Sequence, residues 1–179
     1  MKKSQVKRII KEIVKEIYQR EEIPDDPYLL FSKIIRQDPT MTDPSKAQLF
    51  TNQILDEIVN AFENSMRGLM GKSEEIISTY SNRYTKGMIE LTNFLKMWGQ
   101  NILEMDYKQK DEVVRILKEI QNHTVQITNQ INQSSTNIIQ WQNYINARKQ
   151  IEHVKEIFVS LKESINELFE LAKRYQYEE

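Results

Sequence analysis

Residues 100–179 contain neither glycine nor proline. A chain without either has few ways to turn, so long helices are the natural outcome. Apolar residues recur there at alternating steps of four and three, through Val113, Leu117, Ile120, Thr124, Ile127, Ile131, Ser134, Ile138, Trp141 and Ile145. That spacing keeps one side of an α-helix apolar. Two members of the row, Thr124 and Ser134, are polar, and isolated polar residues in such a seam can set register and oligomer state. They are therefore candidate register-setting layers.

The phase slips between Arg148 and Val154, where Ile151 and Val154 follow at two successive steps of three. A second row then runs through Val154, Phe158, Leu161, Ile165, Leu168, Ala172 and Tyr175. Such a slip is either a stammer in one continuous helix or a corner between two. One helix of about 70 residues would span roughly 105 Å, whereas two would make bundle members of about 45–50 Å. The segment from Asn146 to Gln150 carries none of the usual corner residues, which favours a single long helix with a bend.

Upstream, all four prolines fall between Pro24 and Pro44. Asp26-Pro27 and Asp43-Pro44 each place a capping side chain before a proline at the first helical position. The first opens a short helix through Leu29, Leu30, Phe31, Ile34 and Ile35. The second opens a long one, with Phe50, Ile54, Ile58, Phe62, Met66 and Leu69 on its face. Gly68, Gly71 and Lys72-Ser73 predict a break. The next helix, Ser73 to about Met105, carries Ile77, Tyr80, Tyr84, Gly87, Leu91, Leu95, Trp98, Ile102 and Met105 on its stripe. Polar residues from Met105 to Gln109 predict another reversal. No stretch alternates like a strand. The expected fold is all-α, an elongated helical bundle or coiled coil of long heptad-patterned helices with an N-terminal amphipathic helix arm. Its divisions are residues 1–44 and residues 45–179.

The arm, about Ser4 to Glu22, lines up Val6, Ile9, Ile10, Ile13, Val14 and Ile17 on one face. Residues 1–20 hold seven cations against Glu12 and Glu16, a local net charge of +5 in a chain whose total is −1. Lys7, Arg8, Lys11 and Lys15 are its candidate basic face. The apolar face is wholly aliphatic, without the Trp or Phe that favours a lipid interface. Packing on its own body or another copy is the strongest expectation, docking on a different protein partner comes next, and a membrane surface or nucleic acid is the weakest. The six aliphatic residues are the candidate partner-docking positions.

No Cys occurs, which removes disulfides, thiolate metal sites and Cys nucleophiles. A helical di-metal site needs paired Glu-x-x-His motifs, but Glu119 precedes His123 by four residues and Gln150 stands three before His153. The glycines form no phosphate-cradling loop. Tyr80, Tyr84, Trp98 and Trp141 share the phase of the apolar stripes, so they read as core rather than as a stacking platform. Catalytic, cofactor-binding and metal-binding residues are accordingly expected to be none, no cofactor is expected, and the chain reads as no enzyme. With 39% hydrophobic and 28% charged residues, the helices suit one buried stripe and a large wet surface. No apolar run has the length of a signal peptide core or a membrane span, which predicts a cytoplasmic protein or one inside a particle assembled there.

These features predict a non-enzymatic helical scaffold or assembly protein, a homo-oligomer acting through self-association and protein–protein interaction. A phage structural or packaging component, or a chaperone for an assembly subunit, would be such a protein. Two other readings compete. In size, helicity and lack of cysteine the chain broadly resembles the phasins, which implies an amphipathic protein coating a granule surface. The basic N-terminal helix, repeated in an oligomer, instead fits a nucleic-acid-binding protein.

Overall fold

The computed structural model describes residues 26–37, 43–141 and 144–176, and all the regular structure among them is helical. The predicted N-terminal arm, with Val6, Ile9, Ile10, Ile13, Val14, Ile17 and the basic Lys7, Arg8, Lys11 and Lys15, lies outside these residues. Five helices pack together: α1 (Pro27–Ile35), α2 (Pro44–Gly68), α3 (Glu74–Met105), α4 (Lys110–Trp141) and α5 (Tyr144–Gln176).

The helix starts follow the capping chemistry expected of them. The Asp26 carboxylate accepts from the Tyr28 backbone N–H at 3.0 Å, and Asp43 from that of Ser45 at 2.8 Å, each with proline next in sequence. The Ser73 hydroxyl accepts from the Ile76 N–H, while Glu74 and Glu75 place negative charge at the positive end of α3. Before it, Gly71 takes φ +79°, a left-handed conformation that a side chain disfavours, and the chain turns there. Between α3 and α4, Asp106 accepts from the Lys108 N–H at 2.9 Å and leads into a 3-10 turn, Tyr107–Gln109. The breaks expected near Gly71 and Asp106 are both present.

Cross-helix pairs define how the elements run. Gln48 and Asn52 reach Asn166, Asp56 reaches Lys162 and Glu63 reaches Lys155, so α2 and α5 are antiparallel. Ser81 meets Asn132, Thr92 meets Thr124, and Gly99 lies under Leu117, so α3 and α4 are antiparallel too. Asn137 bonds Gln150 and Arg115 bonds Glu167, which lays α5 back along α4. The four long helices therefore alternate up and down. Helices α4 and α5, of 32 and 33 residues, are each about 48 Å long.

This corrects the expectation of one long helix after Lys110. The direction reverses between Trp141 and Tyr144, ahead of the phase slip at Arg148. The physical reason is that the apolar rows of both segments need cover. Folding α5 onto α4 buries Ile116, Ile120, Ile127 and Ile131 together with Ile151, Val154, Phe158, Leu161 and Ile165. That gain outweighs the lack of a special corner residue. Among the described residues the stripes are largely as read, although Leu117 and Tyr175 are only half-buried and two further members are exposed; the side chains of Trp141 and Ile145 lie outside those described. Phe50 is 39% exposed and Met105 53% exposed. At its start α2 turns Ala47 and Thr51 inward, which moves Phe50 to the edge of the face. Met105 ends α3, beyond the last buried layer at Ile102.

Helix α1 packs on both α2 and α3. Phe31 and Ile34 are fully buried, and Phe31 sits over Gly87. Around it the Tyr28 hydroxyl donates to Glu90 at 3.0 Å, Lys86 lies 4.4 Å from the Tyr28 ring, and Lys33 pairs with Glu57 at 3.2 Å. Arg83 pairs with Asp26 at the start of the helix.

Candidate interaction surface

The apolar stripes point inward, so a surface that binds anything must come from residues beside them. On α3, the stripe residue Met88 is followed by Ile89; on α4, Thr124 is followed by Val125. Each second residue falls just outside the buried arc, and both are more than half exposed, at 57% and 52%. They line one groove of about 370 Å³ that runs along the α3–α4 seam from Thr85 to Lys96 and from Asn129 to Gln121. Met88, almost fully buried, lies in it. Apart from Lys96, the lining carries no charge.

The groove exists because the seam beneath it is built from small polar residues. Thr92 and Thr124 are both buried, with their hydroxyls 3.3 Å apart. Each hydroxyl has one proton, and each has a carbonyl of its own helix in reach: Met88 at 2.9 Å from Thr92, and Gln121 at 2.8 Å from Thr124. Only one of the two can donate across the seam at a time. A leucine in either place would fill the space over which Ile89 and Val125 stand. One of the two polar layers anticipated on α4 is thus matched by a polar residue on α3. The other, Ser134, is fully buried, and its hydroxyl bonds the Gln130 carbonyl of its own helix at 2.8 Å. A cross-helix polar pair near it instead joins Ser81 to Asn132.

Elsewhere the bundle's chemistry is that of packing. Tyr84 stands among Phe31, Phe62, Tyr80 and Phe158, with ring centroids 5.4 to 6.4 Å away. Burial pushes its phenol well above its ordinary value. Across α2 and α5, Lys155 donates to Glu63 at 2.5 Å, holding that carboxyl below its ordinary value while its own ammonium is raised. The Lys108 N–H, with help from Gln109 and Tyr175, likewise lowers Asp106. His153 is exposed, 3.5 Å from Glu156, and the Nδ1 of His123 is buried without a hydrogen-bond partner among the described residues. No grouping of His, Asp and Glu among those residues could hold a metal ion. No described helix is long and apolar enough to cross a membrane.

Sequence reasoning placed Thr124 but missed the groove. The available signal was an apolar residue adjacent to each stripe, Ile89 and Val125. Which of the many such neighbours would face each other depended on the pairing of α3 with α4. The described residues form an all-α helical bundle with an apolar surface groove along the α3–α4 seam. No family model, curated protein or solved structure matches the chain.

Proposed function

We propose that this protein is a non-enzymatic helical scaffold or assembly protein that works by self-association and by binding other proteins, in the cytoplasm or in a particle assembled there. The observation that carries this reading is the α3–α4 groove, where Ile89 and Val125 stand exposed beside the bundle core. Exposed apolar side chains that share a groove are what an incoming helix seeks. The sequence also contains an element of matching chemistry, the aliphatic face of residues 4–22, and heptad-patterned stripes that suit helical association. On this reading the arm is the piece exchanged with another copy or partner, and the bundle is the body that receives it.

The test is the mass of the full chain in solution, by light scattering coupled to size-exclusion chromatography over a wide range of concentration. The expected result is a dimer or larger species that grows in population with concentration. A monomer at every concentration would overturn self-association, and Ile89→Lys should shift any observed equilibrium toward smaller species.

A further inference from the structure

We infer that two copies of this chain meet face to face through the α3–α4 surface, about a two-fold axis that crosses the helices near Ile89 and Val125. Self-association is the reading on which this rests; the helix that enters the groove is then α4 of a second copy.

Charge is sorted away from this surface. The chain is 28% charged, yet residues 121–147 contain no Asp, Glu, Lys or Arg. On α3, the charged residues between positions 76 and 95 are Arg83, Lys86 and Glu90, and all three turn to α1. Arg83 pairs with Asp26, Lys86 lies over the Tyr28 ring, and Glu90 accepts from the Tyr28 hydroxyl. Toward α4 the third helix instead exposes Asn82, Ile89 and Asn93, and beside them α4 exposes Val125, Asn129 and Asn132. The outer face of α5 differs, with Glu152, Glu156, Glu163 and Glu170 all exposed.

A surface of this kind suits its own copy. A two-fold axis sets a residue on the axis against itself, so like charges near it repel. Amides escape that penalty, because each carries both donors and an acceptor and can pair with another amide. Ile89 and Val125, 57% and 52% exposed, supply the apolar centre that such a contact buries inside a polar rim. Lys96 fixes the direction. It is exposed, and it follows Ile89 by seven residues as Asn82 precedes it by seven, all on one stripe. An axis along the helices would set Lys96 against itself. An axis across them makes the two α4 helices antiparallel and brings Lys96 opposite Asn82, whose amide carbonyl can accept from the ammonium.

Size sets the strength. The pairs Ser81–Asn132 and Thr92–Thr124 place residues 78–93 of α3 alongside residues 121–136 of α4, fifteen steps on each helix. At about 1.5 Å per step and about 10 Å per helix, the face measures roughly 22 Å by 20 Å. Two copies would bury roughly 900 Å² in total, in the range of weak contacts that form as concentration rises.

The test compares the full chain with Val125→Glu, Val125→Lys and their equimolar mixture by sedimentation velocity over a wide range of concentration. Each variant alone should dimerise at least about tenfold more weakly than the wild type, because the introduced charge faces its own copy. The mixture should recover dimer, since opposite charges then meet across the axis. Val159→Glu, on the exposed side of α5, should leave the dimer unchanged. Because the chain has no Cys, Val125→Cys adds one thiol per copy. Mild oxidation should link it into a disulfide dimer at least about tenfold faster than Val159→Cys. Unchanged helical circular dichroism would show that each variant is folded. A wild type that assembles, with both charge variants assembling equally well, would overturn this contact and leave self-association standing on another face. Variants that separate alone and stay separate when mixed would overturn it too, as would equally fast linking by Val159→Cys. A wild type that is monomeric at every concentration would overturn both readings.

Discussion

Tyr84 lies at the centre of the aromatic cluster, and its hydroxyl is buried with no hydrogen-bond partner among the described residues. A buried polar group without a partner costs stability, whereas the ring around it contributes through burial and edge-on aromatic contacts. Tyr84→Phe keeps the ring and removes the cost. It should raise stability by about 1 kcal/mol, read as an upward shift in the urea midpoint. A second signature follows from the raised phenol. The folded state favours the neutral form, so this contribution is complete below about pH 10, the ordinary tyrosine value, and is lost as pH climbs above it. The Phe variant should lose less stability than the wild type on passing from neutral to strongly alkaline pH. The stripe spacing showed that residue 84 is core. That its ring would meet Phe31, Phe62 and Phe158 was not legible, because those rings come from three other helices.

Among the contacts that hold helix α1, the seat of Phe31 over Gly87 is the tightest fit. A Cβ built on Gly87 would lie 2.1 Å from Cδ2 of Phe31, so the glycine is the socket that admits the ring. Gly87→Ala improves local helix propensity by about 1 kcal/mol but overpacks the socket at a cost of about 1–3 kcal/mol. The expected outcome is a net loss of stability, together with faster amide hydrogen exchange in α1 than in α4. Pairing it with Phe31→Leu should cost less than the two single changes summed, because the smaller side chain vacates the space. A gain in stability from Gly87→Ala alone would mean that α1 is not seated there. In the sequence Gly87 counted only as a member of the α3 stripe. The Asp26-Pro27 start of α1 was legible because a cap is a local event; its socket, 56 residues after Phe31's own turn of helix, was not.

At the scale of the molecule, charged pairs mark the outer side of the α2–α5 seam, where Glu63 meets Lys155 and Asp56 meets Lys162 at 2.7 Å. The lowered Glu63 carboxyl means that its pairing stabilises the fold fully above the ordinary carboxylate value near about pH 4.3. That contribution fades as pH falls through the lower folded value. Glu63→Gln should therefore lower the urea midpoint at neutral pH by the equivalent of about 0.5 kcal/mol, the modest worth of a partly exposed pair. The gap between variant and wild type should close in strong acid; a gap independent of pH would assign the loss to packing instead.

Local chemistry was enough to settle several things in this protein: helical class, the caps at Asp26 and Asp43, the break around Gly71, and most of the inward rows of α3, α4 and α5. Each depends on residues within one or two helical turns of each other. Only the tertiary structure decided that the last long segment folds into α4 and α5, that Phe31 enters the Gly87 socket, and that Ile89 and Val125 share a groove. Those outcomes depend on which helix covers which stripe. The free energy of burial is non-directional and identifies no partner, so it takes the assembled bundle to choose among apolar faces that are locally equivalent.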